Sequence, residues 1–200
     1  MKLAQLFSKD ELRDIVISLA VVIFIFTYPH FQFIWLASLV ILVAFLFHEL
    51  AHRYLARRFG LVAKYKMWPE GILFSLLFSL FGFKFVAPGA VVIYPYRFGR
   101  WGHRVKHVTV NEMGLIALSG PAVNLIFAVF FMAIPGYFSF ISQMNVPLYL
   151  QPHFINAWLA FFNLLPIPPL DGSKVMRWKP WFWAFIFVVS IVLVWLSFGM

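Results

Sequence analysis

The chain lacks cysteine altogether and carries few charged residues over its 200 positions. Without cysteine there are no disulfide bridges, no thiolate metal ligands and no cysteine nucleophiles. Charged residues make up 12% of the chain and hydrophobic residues 63%, whereas an average soluble domain carries about 25% charged residues. Water cannot be the main solvent of such a chain. We therefore predict one integral membrane domain that occupies residues 1–200, with little chain left for an appended soluble domain.

Carboxylates are scarce as well, which restricts acid–base and metal chemistry to a short set of residues. The seven that exist are Asp10, Asp14, Asp171, Glu11, Glu49, Glu70 and Glu112. Basic residues outnumber them and give a formal net charge of +9. The basic residues occur in short clusters between apolar runs, as the positive-inside rule describes, and no RNA-binding or zinc-finger pattern accompanies them. We therefore expect the lipid bilayer as a partner and no nucleic acid.

Five apolar segments approach the length of about 20 residues that a helix needs to cross the hydrocarbon layer. They cover residues 15–28, 33–55, 113–134, 151–170 and 181–200. The first is short, but Ser8 and Glu11 stand three apart as in a capping box, which predicts a helix that begins near Lys9. The fold class predicted is an all-α polytopic membrane protein with about five transmembrane helices. A small membrane-associated β-strand region is expected between the second and third spans.

The distribution of basic residues predicts the orientation of these spans. The basic residues are Lys2, Lys9 and Arg13 before the first span; Arg53, Arg57, Arg58, Lys64 and Lys66 after the second; Arg97, Arg100, Arg104 and Lys106 before the third; and Lys174, Arg177 and Lys179 between the fourth and fifth. The connections 29–32 and 136–151 contain no charged residue. Five spans across the cell membrane with a cytoplasmic N-terminus would place every basic connection in the cytoplasm and both uncharged connections outside.

The segment 71–96 permits two interpretations because it is apolar apart from Lys84. It could form a sixth span, but Gly82, Pro88 and Gly89 interrupt it, and residues 85–94 are rich in the valine and aromatic residues typical of strands. We predict a short helix followed by a strand pair that dips into the membrane and returns. Exposed strand edges cannot face lipid, so this piece is expected to line a protein cavity.

The second span carries the sequence His48-Glu49-x-x-His52. Two histidines four residues apart lie on one face of a helix, where both can coordinate one Zn²⁺, and the intervening glutamate can act as general base toward water. Ionisable residues inside a membrane span are costly and indicate function. The alternative is a buried hydrogen-bonded cluster that only holds helices together.

A zinc hydrolase usually has three protein ligands, and Asp171 is the best remaining carboxylate. The other acidic residues lie near the N-terminus or, as Glu70 and Glu112 do, in basic connections. The second and fourth predicted spans both run from outside to inside, so the histidine pair and Asp171 reach the same side of the bilayer. The alternative is that Asp171 only caps a helix or forms a turn.

Three prolines precede Asp171 and indicate how the fourth span ends. Pro166, Pro168 and Pro169 cannot continue a helix, so the helix is predicted to unwind after about Leu165. Non-helical backbone at membrane depth must face protein or water. The aspartate is therefore expected to point inward.

Two motifs together resemble those of the site-2 protease family, the intramembrane zinc metalloproteases of peptidase family M50. They are His48-Glu49-x-x-His52 and Asn163-x-x-Pro166-x-Pro168-x-x-Asp171-Gly172. The resemblance runs from the second span to about Gly172. It is to the short prokaryotic, particularly archaeal, type, and residues 84–91 resemble the membrane-dipping strands of those members. The chain has one predicted span after Asp171, where some members have two.

The resemblance implies a ligand set and a catalytic base. One Zn²⁺ per chain would be held by His48, His52 and Asp171, and Glu49 would be the base. Asn163 corresponds to the family's asparagine eight residues before the aspartate, which is associated with the substrate or the tetrahedral oxyanion.

A further motif, Ser119-Gly120-Pro121-x-x-Asn124, resembles the family's third-span Gly-x-x-x-Asn motif. That motif is associated with substrate handling. Asn124 is therefore expected to assist Asn163 at the substrate. The alternative is that Asn124 only forms a hydrogen bond between helices.

The predicted activity is hydrolysis of peptide bonds within or near transmembrane segments of a membrane-protein substrate, at an active site that faces the cytoplasm. The region 85–94 is expected to receive the unwound substrate by strand addition. Three alternatives stay open: a metal-binding transporter or sensor, although no internal repeat is present; an inactive family member that serves as a binding chaperone; and another membrane zinc hydrolase, such as a prenyl-protein endopeptidase.

Four other histidines carry weaker signals. His103 and His107 stand four apart without an intervening glutamate, which favours an interfacial face over a second metal site. His30 and His153 flank the predicted outside connections and are expected to be interfacial residues.

Overall fold

The computed structural model describes residues 8–94, 96–99, 102–105 and 107–199, with the backbone alone described at 96–99 and 102–105. Its helices are α1 (Lys9–Thr27), α2 (Ile34–Arg58), α3 (Pro69–Leu80), α4 (Val110–Ala133), α5 (Tyr137–Gln143), α6 (Pro152–Asn163), α7 (Asp171–Trp178) and α8 (Pro180–Phe198). Its strands are β1 (Val62–Met67), β2 (Gly89–Tyr94), β3 (Tyr96–Gly99) and β4 (Gly102–Val105). Single 3₁₀ turns occur at Phe31–Phe33 and Leu148–Leu150. Of the basic clusters, Lys2, Arg100 and Lys106 lie outside the described residues.

Three helices of the described chain are long and apolar enough to cross a membrane, and the protein is a mostly helical membrane protein. They are the stretch Phe31–Arg58, α4 and α8. Two of the five predicted spans do not meet that standard. The first turns of α1 carry five charged residues among its first six, and α6 has 12 residues, which cover about 18 Å of a layer about 30 Å thick.

The ends of these helices follow the sequence closely. α1 begins at Lys9 behind the capping box, with Ser8 Oγ accepting from the Glu11 N–H at 3.3 Å. α6 ends at Asn163, and residues 164–170 form no helix. The proline-rich sequence therefore interrupts the fourth predicted span, as expected from the missing N–H groups.

The segment 71–96 contains the predicted short helix, α3, but the predicted strand pair within 85–94 is wrong. That region supplies one strand, β2, whose antiparallel partner is β1, with Val62 opposite Tyr94 and Met67 opposite Gly89. β1 precedes α3 and lies in the basic connection after α2. Its residues alternate between buried and exposed, a strand pattern that the basic residues concealed. β3 and β4 form a separate antiparallel pair.

The chain between β1 and β2 runs along α1 and comes back. At the start of α1, the Tyr65 N–H donates to Glu11 Oε1 at 2.9 Å. At the other end, the Lys84 ammonium donates to the carbonyl oxygens of Ile25 (2.7 Å) and Tyr28 (2.6 Å). Since β2 then pairs with β1 over its whole length, the segment enters and leaves at the same end of α1.

α2 lies inside the helical bundle and carries the candidate site into it. It packs against α1 and α4, and α4 packs in turn against α6 and α7. The main core forms between α1 and α2 around Val22, Phe26 and Ile41, all fully buried. Large apolar side chains cover the outer surface, among them Trp181 and Trp195 on α8, as expected of a surface that faces lipid.

Candidate metal centre

Three predicted ligands from two distant parts of the chain meet inside the bundle. His48 and His52 lie one turn apart on α2 with their Nε2 atoms 3.0 Å from each other. Asp171 Oδ2 lies 3.0 Å from His52 Nε2 and 3.6 Å from His48 Nε2. All three side chains are buried. The structure therefore brings together the histidine pair and the aspartate that the topology argument paired with it.

Asp171 reaches this place because the chain reverses after α6. The non-helical residues 164–170 lead into α7, whose first residue is Asp171. The reversal is so tight that a Cβ at Gly172 would lie 2.0 Å from the Leu164 carbonyl oxygen. The second carboxylate oxygen, Oδ1, accepts a hydrogen bond from Lys174 Nζ at 3.0 Å. Asp171 thus turns one oxygen to the histidines and the other to a lysine.

The ring nitrogens that face away from the cluster are fixed by hydrogen bonds. His52 Nδ1 lies 2.7 Å from the carbonyl oxygen of Ile116 on α4. A carbonyl oxygen only accepts, so Nδ1 carries the hydrogen and Nε2 presents its lone pair to the cluster.

His48 is fixed in the same way through a longer chain of amides. Its Nδ1 is hydrogen-bonded to Asn124 Oδ1. Asn124 Nδ2 donates to the Ala44 carbonyl at 3.3 Å and to Asn156 Oδ1 at 2.9 Å, and Asn156 Nδ2 donates to the Pro152 carbonyl at 2.8 Å. The backbone carbonyls of Ala44 and Pro152 only accept, so both asparagine side chains must turn their Nδ2 groups toward them. Asn124 Oδ1 therefore accepts from His48 Nδ1, and His48 Nε2 also presents a lone pair to the cluster.

This donor set fits a metal ion. Two imidazole lone pairs and a carboxylate oxygen converge within 4.8 Å of one another, an arrangement that a cation between them stabilises. Two imidazoles and a carboxylate form a common ligand set of catalytic zinc. α4 leaves room there because residue 120 is glycine: a Cβ would lie 2.3 Å from His52 Nε2 and 2.6 Å from His48 Nε2.

Glu49 and Asn163 border the same space. A cavity of about 10 Å³, room for roughly one water molecule, is lined by both residues together with the three ligands and by residues 89–91 of β2. Glu49 Oε2 is buried and has no hydrogen-bond partner among the described residues. Asn163 Nδ2 donates to the Leu159 carbonyl at 2.9 Å. A carboxylate oxygen with no protein partner thus lies beside a water-sized space.

Several residues of this centre were missed in the sequence. Asn156 orients Asn124. The sequence feature that could have revealed it is an amide side chain within an apolar segment, because such groups form hydrogen bonds between helices. Lys174 was recognisable from its position three residues after Asp171 on one helix. The carbonyl of Ile116 has no sequence signal, since any residue supplies one.

The outer histidines differ from one another. His30 is exposed and its Nδ1 is hydrogen-bonded to the Tyr149 hydroxyl. The prediction that His153 is interfacial is wrong: the side chain is fully buried, and its Nδ1 lies 3.0 Å from the Tyr137 hydroxyl, because the rings of Tyr137 and Phe138 pack on it. The His103 side chain, and with it the idea of a second histidine pair, lies outside the described part of the chain.

Long apolar helices around a buried His–His–Asp cluster, with a glutamate at its edge, define the class of membrane metalloproteases. Comparisons with known proteins agree with that class. Residues 36–146 match the family model described as peptidase family M50. The chain therefore belongs to peptidase family M50, the family of the site-2 proteases. No solved structure matches the chain.

Two curated relatives are similar over much of their length. "Putative zinc metalloprotease MJ0611" of Methanocaldococcus jannaschii is 40% identical over 183 residues, which cover 90% of each chain. "Putative zinc metalloprotease YwhC" of Bacillus subtilis is 29% identical over 168 residues, which cover 70% of this chain and 66% of that protein. The first similarity extends through most of the chain and supports the family assignment independently of the family model.

Proposed function

We propose that the protein is an intramembrane zinc metalloprotease that hydrolyses peptide bonds within or near transmembrane segments of membrane proteins, as in regulated intramembrane proteolysis. The observation that carries the proposal is the convergence of His48, His52 and Asp171 beside Glu49 inside a bundle of apolar helices. The names of the two relatives support zinc as the metal. One ion per chain corresponds to the single set of three ligands found among the described residues.

Zinc supplies, when bound, Lewis-acid chemistry that makes water a usable nucleophile at neutral pH. We propose that Glu49 accepts the proton from the attacking water and delivers it to the leaving amine. Its buried oxygen without a protein partner supports this role, because that oxygen is available to water. Lys174 would keep the Asp171 carboxylate aimed at the histidines through its hydrogen bond to Oδ1.

The two asparagines are proposed to act differently. Asn163 Nδ2 donates one hydrogen to the Leu159 carbonyl. The second hydrogen would be donated to the developing oxyanion, in the cavity that Asn163 and Glu49 both line. Asn124 has both ends of its amide engaged behind His48. We therefore propose that Asn124 orients the ligand, and we give the oxyanion role to Asn163 alone.

The edge of β2 that pairs with no strand among the described residues is proposed to bind the unwound substrate as an added strand. On β1, the N–H groups of Tyr65 and Met67 bond to carboxylates of α1, so they point away from β2. In an antiparallel pair, the residues opposite them, Val91 and Gly89, then direct their own N–H and C=O groups away from β1. Both line the cavity that contains the metal ligands. A peptide on that edge would place its carbonyl groups beside the metal centre.

For the molecule as a whole we propose five membrane segments, namely α1, α2, α4, the stretch from α6 to the start of α7, and α8. The N-terminus and the active site would face the cytoplasm across the cell membrane, with the chain forming one domain. The distribution of basic residues supports this orientation. The partners would be the bilayer and a transmembrane protein substrate.

The test of the proposed function uses purified protein in detergent and a model transmembrane substrate. The variant Glu49→Gln keeps the ligands but removes the base, so we expect turnover to fall by at least about 100-fold while the metal content is unchanged. Glu70→Gln, which alters an exposed carboxylate at the start of α3, is the matched control and should cleave like the wild type. Retained turnover in Glu49→Gln would refute the base assignment, and no cleavage by the wild type would refute the protease.

A further inference from the structure

An aromatic groove of about 420 Å³ lies outside the metal centre, between the turn that follows α3, the helix α6 and the end of α8. Rings form most of its wall. They include Phe83, Phe85, Phe154, Trp158, Phe162 and Phe198. The polar groups nearby are already engaged: Lys84 Nζ donates to two carbonyl oxygens at the end of α1, and the Tyr149 hydroxyl bonds to His30. The surface that remains for an occupant is apolar.

The groove opens on the outer surface of the bundle and closes toward the inside. At its rim, Phe83 and Phe198 are 66% and 67% exposed. At its floor, Phe162 is 7% exposed and packs edge to face on Phe85, with ring centroids 4.8 Å apart. A substrate segment that approaches through the lipid would therefore contact the groove before it contacts the catalytic residues.

The floor of the groove lies next to the catalytic cleft. Phe162 directly precedes Asn163, and Phe85 directly precedes Val86. Asn163 and Val86 line a second small cavity together with Glu49. In both segments, the aromatic residue is therefore the sequence neighbour of a residue that lines the space in which the peptide bond would be cleaved.

We propose that the groove binds one bulky apolar side chain of the substrate's transmembrane segment and so selects which segments are cleaved. The inference rests on the proposed function. A substrate strand on the edge of β2 cannot continue its hydrogen bonds past Gly89, because the next N–H on that side, that of Ala87, already donates to Ser75 Oγ at 3.0 Å. Beyond that point it runs beside residues 85–88 toward Phe85. Phe85 lies four positions before Gly89, a separation of at most about 13 Å, so the docked side chain belongs about four positions from the substrate residue opposite Gly89.

The docked residue also has a defined side. Lys84, in the groove wall, caps the end of α1 that is farthest from Glu11. In the proposed orientation that end faces the outer leaflet. The bulky residue is therefore expected on the outer-leaflet side of the cleaved bond.

The experiment varies the substrate and the groove together. In a model transmembrane substrate, each position from two to six residues on the outer-leaflet side of the cut is made Ala, Leu or Phe in turn, and kcat/KM is measured. We expect one position at which Phe or Leu exceeds Ala by about tenfold or more. In the double variant Phe83→Ala/Phe198→Ala that preference, the ratio of kcat/KM for the Phe or Leu substrate to that for the Ala substrate, should fall at least about threefold.

The matched control is Phe185→Ala, an equally exposed phenylalanine on α8 that does not line the groove; it should keep the preference. Cleavage without a preferred position, or a preference that survives the double variant, would overturn the proposal. So would a double variant that loses co-purified lipid but keeps the preference, because the occupant would then be an acyl chain.

A binding measurement separates failure of this inference from failure of the proposed function. The variant Glu49→Gln is incubated with substrates that carry a photoreactive phenylalanine at each of the same positions. Crosslinks to residues 83–85 or 198 from one position support the groove whether or not the wild type cleaves. Crosslinking elsewhere, or none, overturns the inference even if cleavage is observed.

Discussion

At the scale of single residues, the centre depends on which nitrogen of each histidine carries its hydrogen. Asn124 and the Ile116 carbonyl fix that choice from behind. Outer partners of this kind orient ligands and typically change metal affinity by about 10–100-fold. The ligands alone would not present two lone pairs to one point, because a free imidazole exchanges between tautomers.

A first prediction concerns Asn124. The variant Asn124→Ala removes the acceptor from His48 Nδ1, so zinc affinity is expected to fall by about 10–100-fold. Titration of the purified protein against a competing chelator measures this directly. Asn111→Ala, which removes an amide bonded to Trp178 at the exposed start of α4, should leave the affinity unchanged. Equal affinities in the two variants would contradict the orienting role.

A second prediction concerns Gly120. In Gly120→Ala, the new Cβ would lie 2.3 Å from His52 Nε2 and 2.6 Å from His48 Nε2. The imidazoles must move off the site, so the variant is expected to lose both zinc and cleavage. Gly199→Ala, where the nearest atom is 3.7 Å away, is the control. Full metal content in Gly120→Ala would contradict this prediction, because it would show that the histidines can shift and still bind the metal.

At the scale of elements, Glu11 holds together α1, α2 and β1. Its side chain is buried; Oε2 accepts from Arg53 Nη2 at 3.0 Å, and Oε1 accepts from the Tyr65 N–H at 2.9 Å. The Tyr65 hydroxyl donates to Ser18 Oγ at 2.9 Å, and burial raises the pKa of Tyr65 well above the usual range, so the hydroxyl remains a donor. The outer edge of β1 is thereby fixed to α1, so the proposed substrate strand would pair with β2.

A third prediction follows for this junction. Glu11→Gln breaks the buried ion pair between Glu11 Oε2 and Arg53 Nη2, and removing one partner of such a pair typically costs about 3–5 kcal/mol of stability. We expect a lower Tm in detergent and at least a tenfold loss in kcat/KM, with zinc still bound because no ligand is altered. Asp10→Asn removes an exposed pairing with Arg13 at 3.9 Å and should change little. Similar Tm values for the two variants would contradict the junction's role.

At the scale of the whole molecule, the returning segment between β1 and β2 determines on which side Asp171 arrives. Its two strands pair at the start of α1, and its turn reaches the far end. If it crossed once instead, the next span would reverse, and Asp171 would be separated from the histidines. The observed cluster and the returning segment therefore support each other.

A fourth prediction tests this topology by labelling. The chain has no cysteine, so single substitutions can be labelled in intact cells without background. Lys66→Cys on β1 and Lys179→Cys before α8 are expected to react with a membrane-impermeant maleimide only after the cells are opened. Gln143→Cys on α5 should react in intact cells. Labelling of Lys66→Cys from outside would contradict the proposed orientation, and the unsubstituted protein serves as the blank.

The sequence alone determined the features that depend on local periodicity and backbone chemistry. Helical spacing brought His48 and His52 to one face, prolines ended α6 near Asn163, and the predicted alternation of spans paired Asp171 with the histidines it contacts. Tertiary structure alone decided the partner of β2, the burial of His153, the junction at Glu11, the amide chain through Asn156 and the aromatic groove. Each of these joins segments far apart in the chain, where side-chain pairing follows from packing in three dimensions and no residue carries a local signal of its distant neighbour.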